Sequence, residues 1–271
     1  MGLIEIVVLA LIQGFTEFLP ISSSGHLILP SQLLGWQDQG QAFDIAVHVG
    51  TLFAVLIYFR KDVVQILSAW FKSCAGKGHT AESKLGWYII LATIPAGLVA
   101  GLAKDFIETN TRGAAVIATT TIVFGLALWY ADIKAKENKN IFDIKWKAAL
   151  LIGIAQAVAL IPGTSRSGIT ITAGLLLGLD KKSAARFSFL MSIPVIGGLG
   201  LVMIIKLILD NTAVDWYALI LGTVLSFVSA YTCIFLFLKF IERMGMLPFV
   251  IYRLILGFAL FALIGLGYIS A

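Results

Sequence analysis

Residues 13–26 read Gln13-Gly14-Phe15-Thr16-Glu17-Phe18-Leu19-Pro20-Ile21-Ser22-Ser23-Ser24-Gly25-His26, and the rest of the chain is read outward from them. They overlap an apolar run, 6–16, that is too short to cross a bilayer, which takes about 20 residues. Glu17, Pro20 and the Ser22-Ser23-Ser24-Gly25 tetrad then break the run. A second break of the same kind is Pro162-Gly163-Thr164-Ser165-Arg166-Ser167-Gly168-Ile169-Thr170. It follows the apolar run 148–161 and resumes as a short arm, 167–179. Broken arms of this sort predict re-entrant hairpins, which a membrane tolerates only where their backbone lines a protein cavity.

The composition agrees with a membrane setting. Of 271 residues, 59% are hydrophobic and 13% charged, and the mean hydropathy is +0.95. Soluble domains carry about 25% charged residues, so a soluble globule and a disordered chain are excluded. Two cysteines, Cys74 and Cys233, make no disulfide or metal framework. The net charge of +5 reports loop orientation before it reports nucleic acid, and no nucleic-acid partner is expected. The N-terminal run lacks a basic leader and does not read as a signal peptide. Six stretches are long enough to span: 43–59, 85–103, 113–131, 187–205, 217–238 and 254–271, the last starting near Pro248.

Lys and Arg orient these spans. Fifteen lie in 60–84, 134–147, 181–186 and 239–243, against three (Lys104, Arg112, Lys206) in the opposite connections. The bias places the first four loops in the cytoplasm, provided that 1–36 and 148–179 each enter and leave on one side. Both termini are then expected outside. An offset of 143 residues aligns Gln13 with Gln156, Ser22 with Ser165, Ser24 with Ser167, Gly25 with Gly168 and Leu33-Leu34-Gly35 with Leu176-Leu177-Gly178. Each half reads as one broken hairpin followed by three spans, and an odd number of spans inverts the second half. The expected fold is therefore an all-α polytopic membrane protein forming a single domain, 1–271. Its inverted-topology repeat comprises 1–131 and 148–271, joined by a cytoplasmic loop, 132–147. Such repeats place their sites where the hairpins meet.

The two breaks hold the chemistry. Gln13 and Glu17 share a helix face, and a charged carboxylate at membrane depth needs a partner. Serines ahead of an arm serve as N-caps, and the free amides there suit an anion. Arg166, the one basic residue between Lys147 and Lys181, offers a planar fork matched to phosphate oxygens. Its plainer reading is a structural salt bridge with Glu17. Together the groups fit a phosphate ligand better than a sugar, an amine or a bare cation. Asp44 and His48 are spaced to pair on one face, with His48 structural or gate-lining. Arg253 is expected to snorkel to the interface. His79 is expected in solvent.

QGFTEFLPISSSGH at 13–26, PGTSRSGIT at 162–170 and LPFVIYR at 247–253 resemble the motifs of the undecaprenyl-diphosphate phosphatase, or bacitracin-resistance, family. The likeness covers essentially the whole chain. Gln13 stands where some members have Glu, and an amide cannot act as a base or a charged metal ligand. The resemblance implies hydrolysis of undecaprenyl diphosphate to the monophosphate carrier and inorganic phosphate, feeding peptidoglycan synthesis and conferring bacitracin resistance. It implies a polyprenyl diphosphate lipid substrate, a bacterial plasma membrane location and a site open to the outer face. It also implies a divalent cation, Mg or Ca, with Glu17 the candidate ligand.

On that basis Glu17, Ser23, His26 and Arg166 are the expected catalytic residues. Ser22, Ser24, Ser165, Ser167 and Thr170 are expected to bind phosphate, with Gln13, Gly163 and Gly168 supporting. Ser23 would attack the terminal phosphorus with His26 as base, since a free serine needs one nearby. Direct activation of water by Glu17 and His26 is the rival, and Ser22 and Ser24 remain alternative nucleophiles. Architecture alone also admits a polyprenyl-phosphate transporter using the same phosphate pocket.

Overall fold

The computed structural model describes residues 1–36, 39–103, 107, 109–111, 113–209 and 215–270, without the side chains of Ser24, Ile28, Ser31, Gln32, Lys206 and Ile208. Lys104 and Arg112, used above for orientation, and the side chains of Ser24 and Lys206 therefore lie outside the described residues. Among the described residues the chain is helical, with no strand beyond an isolated bridge between Lys139 and Leu179.

Helix α1 (Leu3–Phe18) and α2 (Ser23–Leu34) flank the first break. Helix α3 (Gly40–Tyr58) is followed by α4 (Arg60–Cys74), α5 (Ala81–Leu102) and α6 (Ala114–Lys134). A short 3-10 turn, Ile141–Asp143, leads to α7 (Trp146–Val158) and α8 (Arg166–Leu176), which flank the second break. Helices α9 (Lys181–Leu209), α10 (Trp216–Met244) and α11 (Leu247–Gly265) complete the chain. Among the described residues six helices, α3, α5, α6, α9, α10 and α11, are long and apolar enough to cross a membrane. These match the six stretches expected from hydropathy, with ends moved by a few residues.

Helix α4 was not expected; its span reads as a basic loop. Its Ile66 is buried, and Ile66 and Trp70 lie against Gly86 of α5. Basic residues flank that stripe, Arg60 and Lys61 before it and Lys72 after it, so a search for membrane spans passes over it. Arg186 at the start of α9 donates to Asp62 of α4 at 3.1 Å, tying α4 to a second helix.

The broken arms are held by close helix contacts. Helix α1 turns Ile6, Leu9, Ala10, Gln13, Gly14 and Phe18 inward, at helical spacing, and packs on α10. Small residues let such backbones approach inside a membrane. A Cβ on Gly14 would collide with Ser229 Oγ and stand 2.6 Å from the Ser226 carbonyl. Hydroxyls on α10 bond across the gap: Ser226 donates to the Val47 carbonyl of α3 at 2.8 Å, and Thr223 to that of Ala46 at 3.0 Å. Helix α7 packs similarly on α5, where Gln156 Nε2 donates to the Ala92 carbonyl at 3.2 Å. Replacing Gly14 by Ala must push α1 off α10. The expected cost is about 1–3 kcal/mol, read as a lower thermal unfolding midpoint of the detergent-solubilised protein.

Candidate active site

The two breaks meet at Glu17, in the last turn of α1. Arg166, the first residue of α8, donates from one guanidinium nitrogen to Glu17 Oε1 at 2.9 Å. Gln13 Nε2 donates to Oε2 at 2.9 Å from one turn earlier on α1, and Ser23 Oγ donates to the same oxygen at 2.8 Å. His48 Nε2 on α3 stands 3.9 Å from Oε2. Bare charges at membrane depth are costly; here carboxylate and guanidinium offset each other across 149 residues of sequence. The ion pair weighed as Arg166's plainer reading is present, and it lies beside Ser23.

Ser23 opens α2, and Cα–Cβ bonds tilt toward a helix's N-terminus, so its hydroxyl is turned back to α1. The sequence spacing suggested His26 as its base, but the ring bonds elsewhere. His26 Nδ1 lies 2.7 Å from the Ser22 carbonyl oxygen, which only accepts, so Nδ1 donates. Nε2 lies 2.5 Å from the Tyr252 hydroxyl of α11. Glu17, rather than His26, accepts from Ser23.

The second arm is spent largely on holding itself in place. Ser167 Oγ donates to the Leu19 carbonyl at 2.7 Å, joining the two breaks. With that proton used, Ser165 Oγ donates to Ser167 Oγ at 3.2 Å, and it accepts from the Gly168 amide at 3.1 Å as an N-cap. Thr170 Oγ1 reaches the Arg166 carbonyl at 2.8 Å and Ser188 Oγ at 2.7 Å. These three hydroxyls, expected on phosphate, engage protein groups here. Ser22 and Ser165, 143 residues apart, each precede their arm with positive φ, 72° and 71°. Such a conformation is costly for a residue with a side chain.

Arg253 does not snorkel. It is completely buried, and its donors reach the carbonyls of Pro20 (3.2 Å), Gly163 (2.9 Å) and Thr164 (3.0 Å). Two more go to Thr121 (3.0 Å) and Thr120 (3.4 Å) of α6. One side chain thus satisfies backbone groups freed at both breaks. Gly163 takes φ 85°, and a Cβ there would strike Thr120 Oγ1; a Cβ on Gly168 would stand 2.9 Å from an Arg253 nitrogen. Both glycines are required by close approach. His48 Nδ1 donates to the Asp44 backbone carbonyl at 2.7 Å, and the Asp44 carboxylate accepts from Gln39 Nε2 at 2.9 Å.

Among the described residues no group of three His, Cys, Asp or Glu could hold a metal ion. The cluster offers one carboxylate, already accepting three hydrogen bonds, and one buried oxygen without a partner, Gln13 Oε1. Hard cations take about six or more oxygens, so these two fit a cation only if a ligand brings most of the coordination.

The family model for "Bacitracin resistance protein BacA" matches residues 6–259. The chain belongs to this family. It is 68% identical over 260 residues to "Undecaprenyl-diphosphatase 1" of Pseudoalteromonas translucida, covering 96% of this chain and 98% of that one. It is 62% identical to "Undecaprenyl-diphosphatase" of Teredinibacter turnerae, covering 96% and 99%. A third relative, from Alteromonas mediterranea, carries the same name at 60% identity, covering 95% and 97%. The BacA family match embraces all three motif stretches, including LPFVIYR, which supplies Tyr252 and Arg253. A charged residue inside an apolar span is a functional flag by itself, and that signal would have found Arg253. Arg253→Met strands several buried carbonyls, and the expected loss is about 3 kcal/mol or more. Arg253→Lys, a point charge without the fork, should recover only part of the lost unfolding midpoint.

Proposed function

We propose that the chain hydrolyses undecaprenyl diphosphate to undecaprenyl phosphate and inorganic phosphate, recycling the lipid carrier for peptidoglycan synthesis and conferring bacitracin resistance. The observation that carries the chemistry is the Ser23 hydroxyl held 2.8 Å from a carboxylate that Arg166 also grips. The relatives' names favour hydrolysis over transport of the monophosphate.

In this reading Ser23 Oγ attacks the terminal phosphorus and its proton passes to Glu17. The Oγ–P bond forms while the bond from phosphorus to the bridging oxygen breaks, and undecaprenyl phosphate leaves with that oxygen. Water then cleaves the phosphoserine, releasing inorganic phosphate and restoring Ser23. Arg166 turns part of its fork from Glu17 to the transferring phosphoryl group, since charge stabilisation is the main task in such transfers. Ser22, Ser165, Ser167 and Thr170 hold the arms, with the free amides at their starts aimed at anionic oxygen; Ser24 keeps its place in the serine run. A divalent cation, Mg or Ca, would be held by Glu17 and Gln13 Oε1 with the diphosphate, neutralising charge there. Direct attack by water is the rival route.

The repeat, as proposed, is inverted, with a re-entrant hairpin and three spans in each of 1–131 and 148–271 and the linker 132–147 in the cytoplasm. Its support is the 143-residue offset, which relates the starts of α1 and α7, those of α2 and α8, and the two strained serines. The protein would lie in the bacterial plasma membrane with its site open to the outer, periplasmic face.

The test is phosphate release from undecaprenyl diphosphate by the purified protein in detergent, with and without Mg or Ca. The parent should turn over without a sealed compartment. Arg166→Ala should lose about 10²–10³-fold in kcat, as when one charge-stabilising donor is removed, and Ser23→Ala more than about 10³-fold. Label trapped in the parent but not in Ser23→Ala would support the covalent route, and its absence would favour direct attack by water. No release under any condition would overturn the hydrolase reading.

A further inference from the structure

LPFVIYR at 247–253 reads in the sequence only as a motif with a snorkelling arginine, yet its last two residues reach the first break from α11. Arg253 binds the Pro20 carbonyl. Tyr252 points its hydroxyl at His26 Nε2, 2.5 Å away, and the two rings lie nearly parallel, 10° between planes with centroids 5.5 Å apart. The opposite ring nitrogen is fixed by the Ser22 carbonyl, so in the neutral ring the proton sits on Nδ1 and Nε2 is left to accept from the phenol. Ser22, whose carbonyl His26 holds, is the residue at φ 72° immediately before Ser23. A strained backbone persists only where its surroundings fix it, and these surroundings run from Tyr252 through His26 to Ser22.

Resting on the function proposed above, we infer that Tyr252 is a positioning residue for the reaction. Its hydroxyl fixes the tautomer and orientation of His26, and His26 fixes the Ser22 turn that aims the Ser23 hydroxyl at Glu17. His26 acts through geometry, and the phenol is its orienting partner, much as outer-shell partners orient imidazoles elsewhere. Tyr252 itself touches neither Ser23 nor Glu17 in the hydrogen-bond network. Its removal should therefore slow turnover without weakening substrate binding.

The experiment compares the full-length parent, Tyr252→Phe and Ser23→Ala in detergent by phosphate release from undecaprenyl diphosphate. Nitrogen-15 NMR of the histidine rings is recorded alongside, with His26→Gln used to assign the His26 signals among the three histidines. Tyr252→Phe keeps the ring and its packing. It should lower kcat by about 10–100-fold, the usual cost of losing an orienting partner, with KM changed less than about twofold and the unfolding midpoint retained. The His26 signals should show a proton on Nδ1 in the parent and a changed Nε2 environment in Tyr252→Phe. Unchanged kcat in Tyr252→Phe, or a parent ring protonated on Nε2 alone, would overturn the inference while leaving the hydrolase reading intact. An inactive parent would instead sink that reading, and the inferred positioning role with it. Loss of kcat together with a lowered midpoint, rescued in parallel by stabilising lipid, would make Tyr252 merely structural.

Discussion

The ion pair between Glu17 and Arg166 is the interaction on which the two broken arms depend. Each charge alone would be expensive at membrane depth, and together they are tolerable only in contact. The pair lies at 2.9 Å, with the carboxylate further held by Gln13 and Ser23. Arg166 is the first residue of α8 and Glu17 sits one residue before the end of α1. Forming the pair therefore fixes where one arm ends and another begins. The Ser167 hydroxyl on the Leu19 carbonyl adds a neutral tie between the same two breaks.

A broken helix in a membrane exposes carbonyls that no water satisfies. Arg253 answers that constraint at both breaks, its fork reaching Pro20 on one side and Gly163 and Thr164 on the other. Among the described residues no carboxylate bonds it; five carbonyl dipoles stabilise the charge instead. This explains why Gly168 stands where a Cβ would press on the guanidinium, and why the Pro162-Gly163 turn lies against Thr120. The polar interior is thus divided between a pair that carries opposite charges and a cation that carries the backbone.

Much of this was legible in the sequence. Six apolar stretches, two breaks and the lone Arg166 followed from hydropathy and from the rarity of charge in such a chain. Glu17 and Arg166 were legible as partners because nothing else nearby compensated either. Long-range polar contacts were not. Ser23 and His26 are three residues apart, and local spacing paired them. The first turn of α2 instead sends Ser23 back to Glu17 and gives the His26 proton to Ser22. Tyr252 and Arg253 contact residues more than 220 positions away in the first break, which no helical period reveals. Helix α4 escaped because it is short and bounded by basic residues, which makes it read as a loop between spans.

The near-repeat makes the two arms alike in backbone and unlike in chemistry. The offset that relates Ser22 to Ser165, both left-handed, also relates Ser23 to Arg166, the first helical residue of each arm. The same strained turn therefore launches a hydroxyl in one half and a guanidinium in the other. Gln13 and Gln156 keep an amide at equivalent places, each with a buried oxygen lacking a partner. Glu17, however, is matched by the apolar Leu160. One carboxylate can serve both arms because both arms converge on it. A second, at position 160, would need a cation of its own, and in the proposed function it would face an anionic diphosphate. The asymmetry thus follows from electrostatics: a repeated backbone supplies two anchored arm starts, and only one of its two equivalent positions is free to carry the acid.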